Sequence, residues 1–277
     1  EVNRRARWAK TDRLDLGKLL TMLIRYHSGE PKVWHVVQVP TLAQEDRRQL
    51  HRELLRLKQE RTSHINRLKG LLVSQGVRLA VKKDFLKQVE QVHLWDGSPL
   101  PPGLKARLQR AYERLQLVSD QIKVLDAERR AAIRHSSDPA VQMVRHLLRL
   151  RAIGPNSAWL YVMEFFSWRN FRNRREVGAL AGLTPTPYQS GDSDREQGID
   201  KAGNRYIRSI AIEIAWRWLH LQPESELSRW YQDRFGHGSK RLRKIGIVAL
   251  ARKLLIALWR YLETGEVPTG AVLSASV

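Results

Sequence analysis

Two aspartates near the start of the sequence stand at a spacing that suits metal binding. The segment reads Lys-Thr-Asp-Arg-Leu-Asp, and its acids are Asp12 and Asp15. If a helix begins after Thr11, both carboxylates share a face and can hold Mg²⁺, which phosphoryl-transfer enzymes use. The plainer interpretation, which the spacing alone favours, is that these acids stabilise the positive end of the helix. The chain offers no obvious partners for a two-metal site, so any Mg²⁺ site here is predicted to be incomplete.

A basic turn between two apolar helices is the second candidate site. The segment 147–160 reads as an apolar helix, an Ile-Gly turn at Gly154 and a second helix, a pattern similar to a helix-hairpin-helix. Such a turn aims backbone N–H groups at a DNA phosphate without reading bases. Arg149 and Arg151 favour that role. Ala152 stands where the motif usually has its first glycine, so an ordinary packing corner between helices is an equal alternative.

The third candidate is a serine in a glycine-rich segment. Ser190 precedes Gly191 in what reads as a loop ahead of a basic helix, where its hydroxyl would be exposed and a ligand could approach the backbone closely. Lys201, Arg205 and Arg208 could clamp a phosphate beside it, the last two lying three apart on one helix. On the residues alone, a Ser/Gly surface turn followed by a basic helix is the favoured alternative.

Several other chemistries are excluded by the residues. The chain has no cysteine, which excludes disulfides, thiolate metal sites and a cysteine nucleophile. The Gly-x-Ser-x-Gly pattern of serine hydrolases and the Gly-x-x-x-x-Gly-Lys phosphate loop are both absent. The nine histidines show no metal-ligand spacing.

The charge of the chain points to a polyanionic partner. Lys and Arg number 49 against 28 Asp and Glu, a formal net charge of +21 over 277 residues. Nucleic acid is the commonest polyanion that such a field attracts. An anionic membrane surface is the rival, but the basic residues are mixed with acids instead of forming one amphipathic anchor. No apolar run approaches the roughly 18 residues that a membrane span needs, so we expect a cytoplasmic, nucleoid-associated protein without a membrane partner.

Hydrophobic periodicity predicts a mainly α-helical protein. A helix is expected from about Asp12 to His27, and a short strand over 33–39. Two long helical stretches follow, from 41 to about 74 and from 102 to about 134, on either side of a Gly/Pro-rich segment. They predict an antiparallel coiled-coil arm, with an ordinary helical bundle as the alternative.

The chain divides into four zones that differ in composition and in their predicted secondary structure. The last zone before the tail is helical with two Gly-rich breaks, and the tail itself is small and polar, which predicts disorder. Because the first residue is Glu1 and the chain opens inside what reads as a structured motif, we expect a fragment. The predicted zones are 1–40, 41–137, 138–265 and 266–277.

In this order, the three candidate sites resemble a family of bacterial insertion-sequence transposases. That family has an N-terminal domain with a D-E-D-D acidic tetrad and a C-terminal domain with a catalytic serine. The aspartate segment looks like the part that bears the last two acids of the tetrad. The landmarks similar to the serine domain are Ala152-Ile153-Gly154-Pro155, Ala181-Gly182-Leu183-Thr184-Pro185, Ser190-Gly191 and Lys201-Ala202-Gly203-Asn204.

The resemblance implies a site-specific DNA recombinase. Residues 1–40 would be the remnant of an RNase-H-like domain, followed by the coiled-coil arm and the helical serine domain. Ser190 would attack a DNA phosphate to form a phosphoserine link, with Ser193 as the fallback, while Asp12 and Asp15 bind Mg²⁺. The implied DNA-binding residues are Arg149, Arg151, Gly154, Lys201, Asn204, Arg205 and Arg208.

The resemblance also implies binding partners and an impaired recombination activity for this chain. The partners would be DNA, a structured guide RNA from the same element, and further copies of the chain in a dimer or tetramer. Because the first two acids of the tetrad would precede Glu1, this chain alone is expected to bind nucleic acid but to be impaired in recombination.

Three other functions remain open. A non-catalytic DNA- or RNA-binding remnant shares every basic feature and would not depend on Ser190. A structural coiled-coil protein would bind nucleic acid without preference for ends or junctions. A ribosome- or RNA-associated basic protein would leave the Gly-Leu-Thr-Pro and Ser-Gly landmarks without a purpose.

Overall fold

The structure, a computed structural model, describes residues 11–31, 33–34, 38–190 and 193–274, with the backbone alone over 187–190 and 193–197. Within these residues the protein is mainly helical, as predicted. Two π-helical turns, Val162–Phe166 and Gln232–Gly236, continue the sixth and ninth helices. The helices are α1 (Asp12–His27), α2 (Leu42–Val73), α3 (Phe85–Gln91), α4 (Pro102–His135), α5 (Pro139–Leu148), α6 (Pro155–Tyr161), α7 (Arg174–Leu180), α8 (Arg205–Leu221), α9 (Glu226–Tyr231) and α10 (Lys240–Thr264); the strands are β1 (Pro185–Ser190) and β2 (Ser193–Ile199).

The chain divides into two compact units, Glu1–Pro40 and Thr41–Val277. The described part of the first unit contains α1, which begins where Thr11 caps it by accepting a hydrogen bond from the Leu14 N–H group. Its leucines are exposed. The strand predicted over 33–39 falls partly outside the described residues, and residues 33–34 form a bend.

A long helical hairpin opens the second unit. A capping box at Thr41 and Gln44 starts α2, and α4 runs antiparallel to it. The N-terminal half of α2 packs on the C-terminal half of α4. The C-terminal half of α2 packs on the N-terminal half of α4. This antiparallel pair is the arrangement that both the coiled-coil and the bundle interpretation require. The buried side chains of the two ends are Leu54, Leu57, Val118 and Ile122 at one, and Leu68, Leu72, Leu104 and Leu108 at the other.

The larger core lies where α5 to α10 meet. It continues into the base of the hairpin through Ile133 of α4. Trp218 of α8 and Leu254 of α10 are among its fully buried side chains, and the indole N–H of Trp218 donates to the Ser225 hydroxyl (2.9 Å). Among the described helices, none is long and apolar enough to span a bilayer.

The prediction of a disordered tail is wrong for residues 266–274. The Gln222 side chain accepts from the Val272 N–H group (2.7 Å) and donates to the carbonyls of Val272 (2.9 Å) and Arg151 (2.7 Å). Leu273 bridges to Leu150, and the Ser274 N–H group donates to the Arg149 carbonyl (2.7 Å). Backbone hydrogen bonds therefore hold the tail against the turn after α5, despite its small and polar side chains. Residues 275–277 lie outside the described residues.

Candidate nucleic-acid interface

A close backbone contact joins the turn after α7 to the residues that start α8. The Asn204 N–H group donates to the Leu180 carbonyl (2.8 Å), and the Lys201 N–H group donates to the Gly182 carbonyl (3.3 Å). A Cβ atom on Gly203 would overlap the Leu180 carbonyl oxygen and the Gly182 nitrogen. Gly182 itself has φ +67°, in the left-handed region. Only glycines allow the two segments to approach this closely. We call this contact the glycine junction.

The glycine junction brings several of the predicted site residues together. Asn204 caps α8, because its side-chain oxygen accepts from the N–H groups of Tyr206 (2.9 Å) and Ile207 (3.3 Å). The Arg208 guanidinium donates to the Lys201 carbonyl (3.1 Å) and so braces the junction. Lys201 and Arg205 are exposed. Asn204 and Arg208 therefore have structural partners that the sequence did not indicate.

Ser190 lies at the end of a strand, so the prediction of a loop is wrong. Strands β1 and β2 pair antiparallel, with Ser190 opposite Ser193. The hairpin leaves the glycine junction after Leu183 and returns to it at Asp200, whose N–H group donates to the Thr184 carbonyl (3.0 Å). Gly191 and Asp192 lie outside the described residues, but a two-residue Gly-Asp link is a known hairpin signal. That signal was available in the sequence.

The fully buried carboxylate of Glu164 lies next to Asn204 of the glycine junction. Glu164 sits in the π-helical turn that follows α6, and its side chain has no exposed area. Arg52 of α2 donates to it from Nε (2.7 Å) and Nη2 (3.2 Å), and Arg48 donates from Nε (3.3 Å) and Nη2 (3.2 Å). The Asn204 amide lies 3.5 Å from the same carboxylate. Glu164 thus connects α2, the π-helical turn and the cap of α8.

The two arginines keep Glu164 ionised despite its burial. Burial alone raises the pKa of Glu164, but the hydrogen bonds and charges of Arg52 and Arg48 outweigh that effect and lower the pKa below its usual value. The Arg48 guanidinium also lies 4.8 Å from the centre of the Trp168 ring. A charge with these partners is stable in the interior, whereas an unpaired one would be very costly.

Sequence reasoning missed this network. Glu164 lies more than a hundred residues from Arg48 and Arg52 in the chain, so no local spacing connects them. One signal was available, because Glu164 is the lone acid in the apolar run Trp-Leu-Tyr-Val-Met-Glu-Phe-Phe. Acids are almost never fully buried unless they are paired.

A cavity of about 590 Å³ lies between α2 and the start of α8. Arg52, Arg56 and Arg205 line it together with Tyr206. The Arg205 guanidinium lies 5.2 Å from the centre of the Tyr206 ring. On the α2 wall of the cavity, Glu164 holds Arg52 by hydrogen bonds. On the α8 wall, Glu164 lies beside Asn204, the residue that caps α8 and precedes Arg205. The arrangement presents guanidinium groups to an anion from two separate helices.

The predicted helix-hairpin-helix turn lies between α5 and α6. Ala152 adopts φ +94° with its side chain buried, at the position where the motif usually has glycine. Gly154 is the N-cap of α6. Arg149 and Arg151 are exposed, while their backbones are hydrogen-bonded to the tail and to Gln222. The backbone conformation is that of a tight left-handed turn with two exposed cations.

Asp12 and Asp15 lie in the first turn of α1 and are exposed. Among the described residues, no group of three or more His, Cys, Asp or Glu side chains could hold a metal ion. Mg²⁺ commonly takes one or two carboxylates and completes its shell with water and phosphate oxygens. The pair therefore fits part of a Mg²⁺ ligand set, and it equally fits the stabilisation of the helix N-terminus.

A second buried polar pair lies at the base of the helical hairpin. His51 of α2 and Arg129 of α4 are both buried, and within the described residues neither ring nitrogen of His51 has a hydrogen-bond partner. Burial lowers the pKa of His51 to about 4; Glu164 opposes this shift, whereas Arg129 adds to it. His51 is therefore neutral in the folded protein near neutral pH.

The sequence of this chain is similar to those of known transposases. Residues 144–231 match the profile of the family described as "Transposase IS116/IS110/IS902 family". The chain is 44% identical to the putative transposase y4rJ of Sinorhizobium fredii, over 98% of the chain and 71% of that relative. It is 28% identical to a probable family 20 transposase of Pseudomonas aeruginosa (82% of the chain, 66% of the relative) and 26% identical to the transposase for insertion sequence element IS1328 of Yersinia enterocolitica (84% and 67%).

Replacing the buried carboxylate should destabilise the protein strongly. Glu164→Gln removes the charge from a fully buried side chain that holds two partly buried arginines, and although both arginines keep Glu45 as a partner, the loss of these charge-assisted hydrogen bonds should cost about 2 kcal/mol. The exposed Glu60, which pairs with Arg56, offers a matched control, because Glu60→Gln should cost less than about 0.5 kcal/mol. The measurement is urea unfolding of both variants and wild type. Equal losses in the two variants would contradict the assigned role of Glu164.

The buried histidine should make stability depend on pH. Since the folded pKa of His51 lies near 4, below the unfolded value of 6.5, the unfolded state takes up its proton first as pH falls. Stability should therefore drop between pH 6.5 and 4, by about 3 kcal/mol for this group. Unfolding across that range should show a smaller drop for His51→Leu than for wild type, whereas His135→Leu, at the exposed end of α4, should follow wild type. Parallel curves for all three proteins would refute the assignment.

Proposed function

The chain belongs to the IS116/IS110/IS902 transposase family, and from this we propose that it carries out DNA strand exchange for an insertion sequence. The match over residues 144–231 carries the proposal, because that segment contains Glu164, the glycine junction and the β1–β2 hairpin. The net charge of +21 supports a nucleic-acid substrate. The helical hairpin α2–α4 would be the coiled-coil arm of the family, residues 138–265 its serine domain, and residues 1–40 part of its RNase-H-like domain.

The nucleophile in this proposal is Ser190. Its hydroxyl oxygen would attack a DNA phosphorus and form a phosphoserine ester, while the departing deoxyribose oxygen takes a proton. One phosphodiester is exchanged for another, so the step conserves bond energy and needs no ATP. A serine hydroxyl is a weak nucleophile until it is activated. The support is that Ser190 stands at the end of β1, in a hairpin that projects from the basic glycine junction, with Ser193 opposite as the fallback.

The DNA contacts would come from the cations around that junction. Lys201 and Arg205 are exposed beside it, and Arg205 shares the 590 Å³ cavity with Arg52 and Arg56. Arg208 and Asn204 would act by holding this surface in place. Arg149, Arg151 and the turn at Gly154 would add a contact to the DNA backbone.

Asp12 and Asp15 would contribute two ligands to Mg²⁺, whose charge would stabilise the phosphate in the transition state. The further partners in this proposal follow from the family resemblance alone. They are a structured guide RNA from the same element and additional copies of the chain in a dimer or tetramer.

The decisive experiment looks for protein covalently attached to DNA. The protein is incubated with Mg²⁺, the end DNA of its element and any RNA the element encodes, then denatured and resolved by size. Because the relatives extend beyond the aligned region, the assay is run both with this chain and with the full reading frame. We expect an adduct that Ser190→Ala abolishes and that the matched Ser193→Ala variant retains.

The other outcomes discriminate between alternatives. An adduct lost only in Ser193→Ala would move the nucleophile to that residue. Failure to form an adduct in either form of the protein, with tight DNA binding intact, would overturn the recombinase proposal in favour of a non-catalytic binding protein.

A further inference from the structure

A second basic cleft lies on the helical hairpin, outside the interface described above. It has a volume of about 680 Å³ and lies between α2, α4 and the segment 81–83 that follows the turn at the end of α2. Its rim carries four cations, and its floor is formed by the apolar side chains of Ile65, Val81 and Leu115. The cations are Arg61, Lys82, Lys83 and Lys123.

The cleft is separate from the cavity beside α8. Both involve α2, but Arg52 and Arg61 are nine positions apart, which is about two and a half helical turns. They therefore point to opposite sides of α2. A ligand in one site does not occupy the other.

Two of the rim lysines, Lys82 and Lys83, are held by a partly buried contact of their backbone. The Tyr112 hydroxyl of α4 lies 2.9 Å from the Lys82 carbonyl and 3.1 Å from the Lys83 carbonyl, and donates its proton to them. The Tyr112 ring stacks on Phe85 of α3 at 5.3 Å. The backbone that carries both lysines is thus anchored to the core of the hairpin, while their ammonium groups stay exposed.

Most of the positive charge of the cleft has no acidic partner among the described residues. Lys123 pairs with Asp120 at 2.7 Å. Across the described part of the chain, Arg61, Lys82 and Lys83 form no ion pair within 4 Å. Three like charges around one opening repel each other, and an anion between them would relieve that repulsion.

We propose that this cleft binds a single-stranded segment of nucleic acid, with phosphates on the cationic rim and an unstacked base on the apolar floor. A duplex offers phosphates but keeps the flat faces of its bases inside the stack, so it cannot use the floor. An unpaired nucleotide offers both, and an arginine guanidinium such as that of Arg61 can stack on its base.

The test is equilibrium binding of short labelled oligonucleotides to the purified chain. The probes are single-stranded RNA, single-stranded DNA of the same sequence, and the corresponding duplex DNA. The variant is Lys82→Ala with Lys83→Ala. Its matched control is Lys69→Ala with Lys87→Ala, which removes the same charge from exposed positions that do not line the cleft.

The proposal predicts that the cleft variant loses affinity for single strands about tenfold, as the loss of charge-assisted contacts implies. The slope of log K against log salt should fall by about 0.7 for each lost phosphate contact with a single strand. Duplex binding should match the control. Unequal losses for RNA and DNA would identify which sugar the cleft prefers, and either result supports the proposal.

Three results would overturn it. One is equal loss for single strand and duplex, and another is no difference between the cleft variant and the control. The third is displacement of the oligonucleotide by a poly-glutamate peptide at equal charge concentration, which would reveal a general anion site. Because the assay measures binding and not covalent linkage, failure here would leave the proposed Ser190 chemistry untouched.

Discussion

The buried carboxylate of Glu164 is the constraint on which the arrangement of the second unit depends. An ionised acid in the interior is tolerated only when its charge is matched and its oxygens accept hydrogen bonds. Arg48 and Arg52 meet that requirement, and both come from α2. The helical hairpin must therefore sit with this face against the π-helical turn after α6. Hydrophobic packing alone would tolerate small slips along α2, whereas two guanidinium groups on one carboxylate fix its position.

The same carboxylate links the hairpin to the glycine junction. Asn204 lies next to Glu164 and caps α8, so the first turn of α8 is placed relative to α2. Gly203 allows the preceding backbone to lie against the turn after α7, and the β1–β2 hairpin leaves from that turn. A chain of contacts thus runs from a single buried charge to the exposed cations of the interface. The proposed chemistry at Ser190 would depend on this scaffold for its position.

The sequence predicts the local parts of this architecture well and the long-range parts poorly. Amphipathic spacing locates α2 and α4, because their leucines recur with the helical period, and Thr11 is recognisable as a cap. The Glu164 network joins residues more than a hundred positions apart, and only its apolar neighbours hinted at a buried pair. The tail was misjudged because its order comes from backbone hydrogen bonds to Gln222, which composition does not reveal. The Gly191-Asp192 pair fits a two-residue hairpin link as well as a loop, so the residues around Ser190 are compatible with the observed strands.

We infer that Glu164 organises the surface that is proposed to bind nucleic acid. The most direct test is a double-mutant cycle on duplex DNA affinity, with Glu164→Gln, Arg205→Ala and the double variant, each at a temperature where it remains folded. If Glu164 acts through the position of α8, its substitution should matter less once Arg205 is absent, and the two effects should depart from additivity by about 1 kcal/mol. Effects that add within about 0.4 kcal/mol would contradict the account, because the buried carboxylate and the interface would then be energetically independent.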